Sequence, residues 1–125
     1  MKLSDYNAFP ADLPIIVEDN LFLYPFMISP LFLSDEENIR AATDSLEHNS
    51  LVLVCTAKSG MEHGRDFSSI YNAGVIGSIM RKVDLPDGRV KILFQGMQKG
   101  KIIKELSRVP LRATVDVIHT QQAEA

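Results

Sequence analysis

The sequence predicts a mostly β protein of the α+β class, a curled sheet or small β-barrel with one principal α-helix. Residues 51–55 form a continuous apolar run, which is typical of a strand buried on both faces. Residues 111–117 alternate apolar and polar side chains, as in a strand with one buried face. A single well-formed helix start signal lies at Ser34.

The helix is predicted over about 35–48. Ser34 is the expected N-cap, and Glu37 three residues later completes a capping box. Asn49 is a plausible left-handed stop. The helix therefore follows directly after the most apolar stretch of the chain.

That apolar stretch spans residues 21–33 and is interrupted by Pro25 and Pro30. Proline lacks an amide N–H and disfavours helix in the residue before it. We therefore expect extended segments joined by a bend near residues 27–29. Upstream, residues 13–17 are a short β-branched run and predict another strand.

The second half of the chain has the pattern of strands. Residues 75–83 and 89–95 flank the Leu-Pro-Asp-Gly sequence at 85–88, which predicts a tight hairpin turn. A further strand is predicted at 101–106. Between them, Gly96 and Gly100 predict a strand-connecting turn with unusual backbone angles.

Length and composition indicate one domain, with a flexible N-terminus at 1–12, the domain at 13–118 and a tail or linker at 119–125. The formal net charge of -3 gives no basic footprint for nucleic acid. Cys55 is the single cysteine, which fits a reducing compartment. With neither a signal peptide nor an apolar run of roughly 20 residues, we expect a cytoplasmic location and no membrane partner.

Catalytic patterns are weak. The three histidines are far apart and lack metal-ligand spacing, and Cys55 has no adjacent base. Residues 96–102 depart from a phosphate-binding loop, because three residues instead of four separate the glycines and Ile102 follows the lysine. We expect no catalytic residues, no metal and no cofactor in this chain.

Three blocks of the sequence carry a family resemblance. Residues 24–32 contain a Tyr-Pro, a Met and a Pro-Leu-Phe, residues 71–77 begin with a Tyr and continue as an apolar strand, and residues 85–96 begin with Leu-Pro-Asp-Gly. In this order and spacing the blocks resemble the N-terminal domain of the Lon family of ATP-dependent proteases. The second block is similar to the family's Tyr-x-Val-Gly-Thr-Val-Ala strand, and the third to its Leu-Pro-Asp-Gly-Thr-x-Lys-Val-Leu-Val-Glu-Gly segment. The resemblance runs from about Leu13 to Ile118.

The resemblance implies a PUA-like β-barrel that captures unfolded or damaged proteins for a hexameric protease. The parent of such a domain is an ATP-dependent serine endopeptidase that uses ATP, magnesium and a Ser-Lys dyad. This chain contains neither a Walker loop nor that dyad, so we expect an excised, non-catalytic domain.

Four residues of the apolar stretch are the candidate polypeptide-binding residues: Phe22, Tyr24, Phe26 and Met27. Unfolded clients expose apolar side chains, so their receptor should offer an adaptable apolar surface, and an open strand edge would suit their exposed backbone. The competing interpretation is that these side chains fill the barrel core.

Three other functions compete with client binding. The domain could be an assembly module supporting the protease hexamer, or a stand-alone protein of the same domain type that binds polypeptides. PUA-like barrels also include RNA binders, but the mildly acidic balance argues against that role.

Overall fold

A computed structural model describes residues 10–18, 27–61, 66–108 and 110–118. Within them the chain forms six β-strands, one α-helix and a short 3-10 helix. In chain order these are β1 (Ala11–Glu18), β2 (Ile28–Leu33), α1 (Glu36–Leu46), β3 (Leu51–Ala57), the 3-10 helix (Phe67–Ser69), β4 (Ile70–Asp84), β5 (Val90–Arg108) and β6 (Leu111–Val117).

Five of the strands pair in a closed ring. β1 runs parallel to β3, and the pairs β3–β4, β4–β5, β5–β6 and β6–β1 are antiparallel. β2 lies outside the ring and pairs with the first part of β5. The predicted fold class, a mostly β curled sheet with one principal helix, is confirmed.

The ring and the helix enclose two separate cores, because side chains alternate between the two faces of β1 and β3. The first core fills the ring and contains Leu13, Ile15, Val17, Leu53, Cys55, Ala57, Ile70, Ile76, Leu111, Ala113, Val115 and Val117. The second core lies between the sheet and α1 and contains Ile16, Leu31, Leu33, Ala41, Ala42, Val52, Val54, Val75, Ile79, Val90, Ile92 and Phe94. β3 contributes to both cores, as its continuous apolar sequence predicts.

The helix begins one residue later than predicted. Asp35, not Ser34, is the N-cap, and its carboxylate accepts hydrogen bonds from the backbone N–H groups of Glu37 at 2.8 Å and Asn38 at 3.4 Å. At the other end, the residue with positive φ is Ser50 at 64°, so the expected left-handed stop at Asn49 is wrong. Asn49 instead accepts a hydrogen bond from Leu51 N–H through Oδ1.

β5 is one strand of 19 residues, and the turn predicted at residues 96–100 is wrong. Opposite β4 the register shifts so that Met97 is an extra residue in a bulge. The glycines there serve close approach, since a Cβ on Gly100 would lie 2.5 Å from the Ile76 side chain. The predicted hairpin turn at 85–88 is present, with Gly88 at φ 92° and its N–H bonded to Leu85 O at 3.1 Å.

β2 is also straighter than the sequence predicts. Ile28 and Ser29 lie inside a regular strand, so no bend interrupts the chain there. The backbone N–H of Gly96 donates to Met27 O, so Met27 and Gly96 form a hydrogen-bonded pair of this antiparallel ladder. Hydrogen-bonded pairs recur at every second residue of β2 from there. Pro30 falls between them, so its missing N–H removes no ladder bond.

Candidate functional site

The two faces of β2 have opposite environments. Leu31 and Leu33 are buried against the helix side, whereas Ile28, Pro30 and Phe32 point to the other face and are exposed. Ile28 is 53% exposed and Phe32 is 48% exposed. The strand therefore places two large apolar side chains in solvent on one face.

Neighbouring strands extend this surface. Leu93 on β5 stands opposite Pro30 on one side and opposite β4 on the other. A register shift in β4 makes Met80 and Arg81 share Leu93 as their partner, so both project from the same face, and Met80 is 54% exposed. We call Ile28, Pro30, Phe32, Met80 and Leu93 together the apolar face.

The apolar face adjoins a sheet edge. Among the described residues, β2 pairs only with β5. The backbone groups of Ile28 and Phe32 belong to non-hydrogen-bonded pairs of that ladder and point away from β5. An extended chain could add to this edge, although Pro30 offers a carbonyl there and no N–H.

Cationic side chains border the apolar face. The guanidinium of Arg89 lies 5.5 Å from the centre of the Phe32 ring. Its Nε donates to Asp87 Oδ2 at 2.9 Å. The pKa of the Asp87 carboxyl lies below its usual range. The hydrogen bond from the Arg89 backbone is the largest cause, and the hydrogen bond from the Arg89 side chain is the second. Arg81 and Lys91 project from the same sheet face.

Only one sequence-predicted site residue can be placed. Met27 is 48% exposed and immediately precedes β2, where its position is in step with Ser29 and Leu31 and not with Ile28 and Phe32. Phe22, Tyr24 and Phe26 lie outside the described residues. The polypeptide-binding role of all four stays a prediction.

The candidate residues predicted from the sequence do not include Ile28, Phe32, Met80 or Leu93. Residues 28–33 are apolar on both faces, so their alternation carries no signal of which face is wet. Pro30 was the available signal, because proline within a strand indicates a sheet edge.

A second, more polar depression lies near the 3-10 helix. It is a cavity of about 300 Å³ lined by Asp66, Phe67, Ser68, Glu105 and Arg108. The Ser68 hydroxyl donates to Asp66 at 2.8 Å, and this bond is the main cause of a lowered pKa for that carboxyl. None of these five side chains is a histidine or lysine that could activate the serine.

The described residues contain no group of three or more potential metal-ligating side chains. Burial raises the pKa of the Cys55 thiol to about 12, so the thiol is a poor nucleophile at neutral pH. No helix in the described ranges is long and apolar enough to cross a membrane.

The described residues thus form a closed strand ring with a packed helix and an exposed apolar sheet face. The family of the chain follows from comparison with known proteins. The model of the ATP-dependent protease La (LON) substrate-binding domain matches residues 12–125. The chain therefore belongs to the Lon substrate-binding domain family.

Full-length relatives agree with this assignment. The chain is 54% identical over 122 residues to Lon protease of Campylobacter concisus, covering 98% of this chain and 15% of that protein. It is 52% identical over 118 residues to Lon protease of Campylobacter jejuni, covering 94% and 15%. The chain thus spans only about 15% of the length of these relatives.

Solved structures share the fold. The N-terminal domain of the Mycobacterium avium complex Lon protease superposes with a TM-score of 0.69 at 16% identity, covering 86% of this chain and 55% of that one. The Lon N-terminal domain protein from Xanthomonas campestris gives a TM-score of 0.65 at 16% identity, covering 86% and 59%.

Proposed function

We propose that this chain binds unfolded polypeptide segments as the substrate-recognition domain of a Lon-type ATP-dependent protease, and that the apolar face is the contact surface. The observation that carries the proposal is the exposure of Ile28, Phe32 and Met80 on one sheet face. The chain itself is non-catalytic in this proposal. ATP hydrolysis and peptide cleavage are functions of other parts of the parent.

The chemistry of the face suits an unfolded client. Unfolded chains differ from folded ones by exposing apolar side chains and backbone together. The apolar face offers both an apolar surface and an adjoining strand edge. Met80 has a flexible side chain that can pack against many partners, as a receptor with varied clients requires.

An assembly role is the second candidate, because an apolar face beside a sheet edge is also suited to another protomer. The two functions predict different behaviour of the same surface. Concentration-dependent self-association without affinity for unfolded chains would support assembly and contradict client binding.

Titration with a permanently unfolded protein tests the proposal. We expect the double variant Ile28→Ser, Phe32→Ser to bind the unfolded protein on the order of tenfold more weakly than the unmodified chain. The reason is that the client would no longer bury apolar surface against these two side chains. The matched control is Ile103→Ser, Leu106→Ser, which removes similarly exposed apolar side chains from the far part of β5. No binding by the folded, unmodified chain, or equal weakening in both variants, would contradict the proposal.

A further inference from the structure

Cations predominate at the border of the apolar face. Among the described residues, its cations are Arg81, Arg89 and Lys91, whereas Asp87 is its single carboxylate and is paired with Arg89. The chain as a whole carries a formal net charge of -3. The cationic border is therefore a local reversal of the overall charge.

Sheet register places these cations among the apolar side chains. Arg81 and Pro30 flank Leu93 in one row across the sheet, and Lys91 stands directly between Phe32 and β4 in another. Adjacent strands are about 4.8 Å apart, so the face is roughly 10 Å wide. That width is close to the Debye length of about 8 Å at physiological salt, so a segment lying on the face is within reach of all three cations.

The neighbouring carboxylates do not cancel this field. Asp84 alternates to the other sheet face, where it stands opposite buried Val90 and pairs with Lys82 at 3.2 Å. Asp87 offsets part of the positive charge of Arg89 and is not paired with Arg81 or Lys91. Arg81 and Lys91 have no ion-pair partner among the described residues within salt-bridge distance.

We propose that the apolar face prefers extended segments whose apolar side chains are flanked by aspartate or glutamate over segments flanked by lysine or arginine. This inference rests on the proposed function and adds the chemical class of client. The apolar side chains of the client pack on Ile28, Phe32 and Leu93. Its flanking carboxylates then lie beside Arg81 and Lys91, where opposite charges attract and like charges repel.

The test uses three unstructured peptides with the same alternating apolar centre, flanked by aspartate, by serine or by lysine. We expect the aspartate peptide to bind the unmodified chain roughly tenfold more tightly than the lysine peptide, since each exposed charge pair contributes modestly. The serine peptide should be intermediate. The preference should shrink between about 0.05 and 0.5 M salt, because the charges are exposed.

Variants assign the preference to this face. The double variant Arg81→Gln, Lys91→Gln should bind the aspartate and lysine peptides with nearly equal affinity. The control Lys104→Gln removes an exposed cation far along β5 and should retain the preference. Equal affinity of the unmodified chain for all three peptides, or a preference that survives the double variant, would overturn the inference and leave the proposed function standing. Failure of every peptide to bind would instead overturn the proposed function itself.

Discussion

Cys55 shows how burial changes the chemistry of one residue. Its thiol lies in the ring core, and burial raises its pKa from 9.0 to about 12. In the unfolded chain the thiol ionises near its ordinary value. Between these two values the unfolded state releases a proton that the folded state retains, so rising pH favours unfolding.

This linkage predicts a pH-dependent loss of stability at Cys55. Below about pH 9 this thiol should leave the free energy of unfolding unchanged. Above that pH the free energy of unfolding should fall by up to about 1.4 kcal/mol per pH unit, until the folded thiol also ionises. Urea unfolding at pH 8 and 10.5 should show a loss about 2 kcal/mol larger for the unmodified chain than for Cys55→Ala. Identical losses in the two proteins would show that the thiol does not remain protonated in the fold.

The N-cap gives a second test at the scale of single residues. Asp35 accepts hydrogen bonds from two backbone N–H groups of the first turn of α1. Replacing it with alanine should lower the free energy of unfolding by about 1 kcal/mol, the usual effect of losing a cap. Ser34→Ala is the matched control and should change it by less than about 0.5 kcal/mol. A larger effect at Ser34 would restore the start predicted from the sequence.

At the scale of elements, Asn38 joins α1 to β1. Its Oδ1 accepts a hydrogen bond from Val17 N–H at 3.0 Å, and its Nδ2 donates one to Val17 O at 2.8 Å. The side chain therefore makes the two hydrogen bonds that a neighbouring strand would make with Val17. β6 pairs with β1 only from Ala11 to Pro14, and β1 therefore needs another partner at Val17. A buried asparagine on a helix supplies it.

Removal of that amide should be costly. Asn38→Ala leaves the N–H and the carbonyl of Val17 buried and without these bonds, and should reduce the free energy of unfolding by about 2–4 kcal/mol. Asn49→Ala removes one exposed hydrogen bond to Leu51 and should cost less than about 1 kcal/mol. Denaturant unfolding of both variants checks this, and similar losses would contradict a pairing role for Asn38.

The elements also show what the sequence could and could not predict. The apolar run of β3 and the alternation of β6 predicted strands correctly, because burial on one or two faces of a strand determines the spacing of its apolar residues. Gly96 and Gly100 are typical of turns, so the sequence predicts two strands where the structure has the single strand β5. Their actual role depends on a neighbouring strand, since Gly100 makes room for Ile76, and local sequence carries no such information.

At the scale of the whole molecule, the same limit applies to the site. The sequence predicts a binding surface near residue 27, whereas the exposed apolar face is assembled from β2, β4 and β5. Met80 and Arg81 lie side by side on it because of a bulge in β4, and Leu93 joins it through register. Such contacts depend on topology, so an apolar stretch in one segment does not show which residues of other strands lie beside it.

The whole chain is proposed to act by binding client polypeptides on the apolar face. Backbone amide chemical shifts of the isotopically labelled chain, recorded during titration with a permanently unfolded protein, test it most directly. We predict perturbations centred on Ile28 and Phe32, extending to Met80 and Leu93, and strongly reduced in the Ile28→Ser, Phe32→Ser variant. Perturbations centred instead on Ile103 and Leu106, or on α1, would contradict the account.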